Sequence, residues 1–258
     1  LGTPNNGSHL MVHSLLGKSD SLRKLSLLDV THDLQDILNI VSSFPGALSL
    51  LPRPGFQDTG TENRIDIPEY YQSQVWTELK SLVRDRWNGD QVAAVPAQNL
   101  LEGIRDSWNK LGSSIPRHNS HVSYVYGKAE KTACGLVRTD NDRLKLLFTS
   151  QGDGSVTWES GRLENIDAER YWYMPVEHGD MAKVESFFPA INELLVRGTT
   201  GKLERLPELR GLISDNFTLE APPPVVPTPE EVQRAIMGAG PVQKNISRPR
   251  QTLRVSVC

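Results

Sequence analysis

The sequence predicts an α/β chain, and three observations carry that expectation. Apolar residues recur at helical spacing up to Leu111. From about Ser120 the pattern changes to β-branched and aromatic runs closed by Gly or by polar turns. Finally, the strand-like run Tyr171-Trp172-Tyr173-Met174-Pro175-Val176 passes almost directly into a helical one that begins at Ala182. Strand and helix thus alternate where the chain carries its most distinctive polar residues.

The chain has 258 residues, 38% hydrophobic and 23% charged, enough to bury a substantial core. Its formal net charge of -3 argues against nucleic acid as a partner, because there is no basic excess to neutralise phosphates. No signal peptide and no apolar run long enough to span a membrane stands in the sequence. The two cysteines, Cys134 and Cys258, lie too far apart to suggest a disulfide framework or a metal knuckle. Cys134, in an apolar run, reads as a buried thiol; a reducing compartment is compatible with it but not demanded, and the localisation stays open with a cytoplasmic one favoured.

In chain order, Leu1 to Ser8 reads as a strand end entering a loop, with Ser8 placed to cap a helix from His9 to about Leu16. Ser21 to Leu51 carries a helical stripe through Leu22, Leu25, Leu28, Leu34, Ile37, Leu38 and Val41. Between them Asp29, Asp33 and Asp36 form a solvated face. Pro45-Gly46 and Pro52, Pro54 and Gly55 interrupt the chain, and Gly55 to Pro68 is polar and turn-rich. Helical spacing resumes from about Glu69 to Trp87, breaks at Asn88-Gly89, and returns from Pro96 to Leu111. Strands are expected at 121–127, 132–137 and 143–148, with a turn at Thr139 to Asp142 between the last two. The helix from Ala182 to Val196 should bury Val184, Phe187, Phe188, Ile191, Leu194 and Leu195. Ala221 to Pro229 is proline-rich and reads as a semi-rigid linker. A short helix at Glu230 to Met237 and a terminal strand then suggest that a further, covalently linked domain starts near residue 230 and is cut short.

Two sets of residues bear chemistry. Asp153 sits in the Gly-flanked turn Gly152-Asp153-Gly154-Ser155-Val156, and His178 follows the next strand. A carboxylate at one strand end can orient an imidazole supplied from the loop after the next strand and stabilise its protonated form. His9 and His13, at i and i+4 on one helix face, have a spacing able to chelate a metal, but the residue after His9 is Leu10 and the metalloprotease pattern is not met. No cofactor is expected, and ordinary packing is the simpler reading of these two histidines.

Several stretches resemble a known family. Leu1-Gly2-Thr3-Pro4-Asn5-Asn6-Gly7-Ser8 resembles the segment that follows the nucleophile helix in lipase-like α/β hydrolases. Residues 42–52, from Ser42 through Phe44-Pro45-Gly46 to Pro52, are similar to a cap segment of the lecithin:cholesterol acyltransferase-like branch. Gly152-Asp153-Gly154-Ser155-Val156 resembles that family's acid motif, and His178 resembles its catalytic His, in the family order of nucleophile, acid and His. The resemblance implies that residues 1–220 are the C-terminal part of an α/β-hydrolase domain, with a mainly helical cap over about 20–115. Residues 221–229 would be a linker and 230–258 the start of a truncated domain.

One part of the family pattern is missing. No Ser stands in a Gly-x-Ser-x-Gly frame; Ser155 belongs to the acid loop, and Ser8 reads as a helix cap. The resemblance therefore implies a nucleophile Ser, with its oxyanion site, upstream of Leu1. It also implies that this chain alone is inactive and, lacking the early strands, poorly stable or prone to associate. The leading expectation is the back half of a serine hydrolase or O-acyltransferase acting on an ester, lipid-like in kind. The alternative is a non-catalytic hydrolase-like interaction module, and a metal hydrolase using His9 and His13 stands third.

Overall fold

The computed structural model describes residues 1–29, 31–56, 58, 69–83, 95–112, 121–138, 144–163 and 166–206. The turn at 139–142, the break at Asn88-Gly89, the proline-rich stretch 221–229 and everything expected from 230 onward lie outside the described residues.

Eight α-helices and five strands follow in order among the described residues: α1 (His9–Leu15), α2 (Asp20–Leu28), α3 (Leu34–Ser43), α4 (Pro45–Leu48), α5 (Ser73–Leu82), α6 (Gln98–Gly112), β1 (Tyr124–Tyr126), β2 (Thr132–Arg138), β3 (Leu144–Thr149), α7 (Trp158–Gly161), β4 (Tyr171–Tyr173), α8 (Phe188–Arg197) and β5 (Glu204–Arg205). Helices and small sheets are mixed, as the α/β expectation has it. Local rules place the ends. The Ser8 side chain caps α1 by accepting from the Leu10 N–H, and Asp33 and Asp36 close a capping box on α3. Gly198 ends α8 at φ 71°.

The strands divide into two sheets. β2 and β3 pair with each other, antiparallel, with a bulge between Ala133 and Gly135. β1 instead pairs in parallel with β4, aligning Tyr124 with Tyr171, Val125 with Trp172 and Tyr126 with Tyr173, and β5 adds antiparallel to β4. The hairpin is an excursion between two neighbouring strands of the β1–β4–β5 sheet. Strand alternation then gives this sheet two faces. Tyr124, Tyr126 and Tyr171 cluster with Trp158 of α7 on one face. On the other, Val125 and Trp172 pack with Met174, Met181 and, from α8, Ala190 and Leu194.

A separate core joins α1 (Met11, Val12, Leu15) to Leu48, Leu51, Tyr71, Trp76, Leu101 and Ile104, and reaches Leu136 of the hairpin. The inward side of α5 is thus core, with Trp76 fully buried and its indole N–H donating to the Tyr70 carbonyl. Residues 20–112 hold α2 to α6 and no strand among the described residues.

Two expectations need correction. The apolar stripe is only half-buried at best on α2, where Leu25 and Leu28 are exposed, while Leu34, Ile37 and Leu38 on α3 are buried. On α8, Phe188 and Leu195 point outward, the latter 82% exposed, while Ala190 and Leu194 take the buried side. The helix starts six residues later than expected, after short 3-10 turns at His178–Asp180 and Glu185–Phe187, and Phe187 and Ile191 pack partly buried against the same cluster as Leu194. Cys134 is buried, as read.

Candidate functional site

Asp153 is held by a closed turn. The Trp158 N–H donates to the Gln151 carbonyl (3.0 Å), Gly152 and Thr157 form an antiparallel bridge, and the Asp153 N–H donates to the Val156 carbonyl (3.1 Å). At the tip Gly154 has φ 94°, a conformation that only glycine adopts without cost, and its N–H donates to Thr132 Oγ1 (2.8 Å). Asp153 Oδ1 accepts from the N–H groups of Ser155 (2.9 Å) and Val156 (2.7 Å). Its side chain is 2% exposed.

In sequence this turn follows β3, so the acid does not stand at the end of a strand of the parallel sheet, as the sequence suggested. The hairpin excursion brings it back in space. Ala129 N–H donates to the Gly152 carbonyl (2.7 Å) and Lys128 N–H to the Val176 carbonyl (2.8 Å), so the residues just after β1 lie against both the acid turn and the extension of β4. A Cβ added to Gly127 would stand 2.6 Å from Asp153 Cβ. Asp153 and His178 therefore meet at the carboxyl ends of two neighbouring parallel strands, the usual place for a ligand site in an open α/β sheet.

His178 is tied to Asp153 twice. Its backbone N–H donates to the Asp153 carbonyl (2.8 Å), and its Nδ1 lies 2.8 Å from Asp153 Oδ2. Because an ionised carboxylate only accepts, the contact places the proton on Nδ1 and leaves the Nε2 lone pair free in the neutral ring. The His178 side chain is 40% exposed, and Nε2 has no partner among the described residues. The Asp153 hydrogen bond raises the His178 pKa above the ordinary imidazole value, with burial opposing.

The opening segment builds one wall of this site. The Gly2 N–H donates to the Val125 carbonyl (2.9 Å), which lays residues 1–3 along β1. A Cβ on Gly2 would stand 2.8 Å from Asp153 Oδ2 and 2.9 Å from His178 Nδ1, and its φ is 56°. Only a residue without a side chain passes so close to the Asp–His contact. Further along, the Asn5 side-chain amide donates to the Gly161 carbonyl (2.7 Å) and that of Asn6 to the Arg162 carbonyl (2.9 Å), satisfying the C-terminal end of α7. Ser8 Oγ, besides capping α1, donates to the Ser155 carbonyl (2.5 Å).

His9 and His13 do not converge. His13 Nε2 donates to the Gly135 carbonyl (2.9 Å), and complete burial pushes its pKa down to about 3, so it is neutral. His9 Nδ1 faces Asp58 Oδ2 at 3.2 Å. Among the described residues no group of three or more His, Cys, Asp or Glu is arranged to hold a metal ion. Nor is any described helix long and apolar enough to cross a membrane. The sequence reading missed Asp58, which lies in a polar stretch without periodicity, and Thr157, whose place before Trp158-Glu159-Ser160 is a cap signal that was there to be read.

A search of family models, curated proteins and solved structures returns no match to this chain.

Proposed function

We propose that Asp153 and His178 are the acid and base of a serine hydrolase or O-acyltransferase acting on carboxylic esters, with the nucleophile Ser contributed from upstream of Leu1. One observation carries this reading. A half-exposed imidazole is held through Nδ1 by a buried carboxylate, with Nε2 without a partner among the described residues, at the carboxyl ends of two parallel strands. The resemblance of residues 1–8, 42–52 and 152–156 to the lecithin:cholesterol acyltransferase-like branch supports the same chemistry and suggests a lipid-like ester. Exposed Leu25, Leu28, Ile40, Phe44 and Leu50 give the region over 20–51 an apolar outer surface that suits such a substrate.

In this reading Nε2 takes the proton of the Ser hydroxyl as its oxygen attacks the ester carbonyl, then gives that proton to the departing alcohol. Asp153 holds the tautomer and stabilises the imidazolium. A second proton transfer through Nε2 activates the water or alcohol that receives the acyl group. The passage of Gly2 against the pair supports a route by which an upstream residue reaches Nε2.

The test is ester turnover by a polypeptide that carries the residues preceding Leu1, assayed on p-nitrophenyl esters of increasing acyl length. Turnover should fall by about 10⁴-fold in Asp153→Asn and at least as far in His178→Ala. Turnover that survives His178→Ala contradicts the assignment. A folded protein without any turnover favours the non-catalytic interaction module instead.

A further inference from the structure

Behind the acid turn lies a second buried carboxylate that the proposed chemistry does not use. Asp58, 3% exposed, stands in the stretch between α4 and α5. Its Oδ1 accepts from Thr157 Oγ1 (2.6 Å) and its Oδ2 faces His9 Nδ1 (3.2 Å). Thr157 in turn accepts from the Ser160 N–H (3.1 Å) as the cap of α7, which fixes its side chain. It is also the residue bridged to Gly152 at the base of the turn whose tip presents Asp153.

A buried carboxylate is costly unless it is paired and hydrogen-bonded, and apolar side chains fill such a space with less penalty. Here the carboxylate ends on the side chain of the residue whose backbone bridges Gly152 at the base of the acid turn. We propose that Asp58 is a positioning residue: through Thr157 it holds the 151–158 turn in the shape that seats His178 on Asp153, and so couples the helical region over 20–112 to the site. The contact with His9 Nδ1 anchors it to α1, and Glu159, whose pKa is raised chiefly by burial, also feels repulsion from Asp58. For its effect on turnover the proposal rests on the acid–base reading of Asp153 and His178. Its structural part stands on the hydrogen bonds alone.

The experiment follows the His178 imidazole by NMR as pH is varied in the 258-residue chain, where Asp153 is the acidic group bonded to the ring. Wild type should titrate above the ordinary value near 6.5. In Asp58→Ala and in Thr157→Val the titration should fall back toward that value, whereas Thr157→Ser, which keeps the hydroxyl, should titrate as wild type does. A purely structural role lowers stability without moving the His178 titration of the folded protein. Folded Thr157→Val that titrates as wild type overturns the proposal, and this variant decides the matter even where Asp58→Ala does not fold. In the longer polypeptide the same two variants should lose roughly tenfold to a hundredfold in kcat with little change in KM. Shifted titration in a protein without turnover supports the positioning role while removing the catalytic reading. Unshifted titration in an active protein does the reverse.

Discussion

His178 and His9 each turn Nδ1 toward an aspartate Oδ2, at 2.8 Å and 3.2 Å. Nearly the same atoms meet in both places, yet the surroundings assign them different work. His9 is 3% exposed and sits inside α1 with Asp58 equally buried, so neither ring nitrogen is open to a substrate. His178 stands on a 3-10 turn beyond a strand end, with only its carboxylate partner buried, so one nitrogen is fixed and the other faces outward. A His–Asp pair therefore reads as acid–base machinery only where the fold buries the acid and leaves the imidazole half open. Where it buries both, the pair is an anchor.

The largest expected effects separate the pairs. His178→Ala should abolish turnover by the longer polypeptide yet cost less stability than His9→Ala, because Asp153 keeps the Ser155 and Val156 N–H groups and removing a 40% exposed ring opens its other oxygen to water. His9→Ala should instead lower stability by about 1–3 kcal/mol, because it removes a buried hydrogen-bond partner of Asp58. Urea unfolding of both variants checks this, and equal losses would erase the distinction.

Titration sharpens the contrast with the other buried histidine. The folded-state pKa of His13 lies near 3, below its ordinary value near 6.5, so its contribution to stability is present above pH 6.5 and is lost as pH falls toward the folded value. The slope over that window is about 1.4 kcal/mol per pH unit. His178 has the opposite sign: its raised folded-state pKa gives a contribution that is full below about 6.5 and disappears as pH rises through the folded value. Exposure keeps the His178 term small. Unfolding measured from pH 6.5 to 5 should show wild type losing about 2 kcal/mol more than His13→Gln. Parallel pH curves would contradict it.

Two glycines make the smallest pair of effects. Gly127→Ala forces a methyl against Asp153 Cβ and the Val176 carbonyl and should cost about 1–3 kcal/mol. Gly103→Ala, on the exposed side of α6 in mid-helix, meets nothing within 4 Å and should stabilise by up to about 1 kcal/mol. Thermal unfolding distinguishes the two by sign.

Much of this was legible from local pattern. The β-branched and aromatic runs mark β1 to β4, Ser8 marks the start of α1, and the Gly-flanked Asp153 with His178 after the next strand marks two residues that the fold brings into contact. What local pattern lacks is the choice of partner. Nothing in the runs at 124–126 and 132–138 says that β1 skips two strands to pair with β4, because parallel pairing is decided by burial on both faces and by the hairpin closing on itself. The exposed Leu25, Leu28 and Leu195 show the same limit, since periodicity defines a face without naming what covers it. Asp58 gave no signal: its role exists only after the fold has brought it to a threonine 99 positions away.

The claim that Asp153 and His178 are the acid–base half of an acyl-transfer site meets its most direct test in fluorophosphonate labelling. The polypeptide that includes the residues before Leu1 should label on a single Ser upstream of Leu1, and His178→Ala should slow that labelling by orders of magnitude. No labelling of the folded protein, or labelling indifferent to His178, would contradict the account.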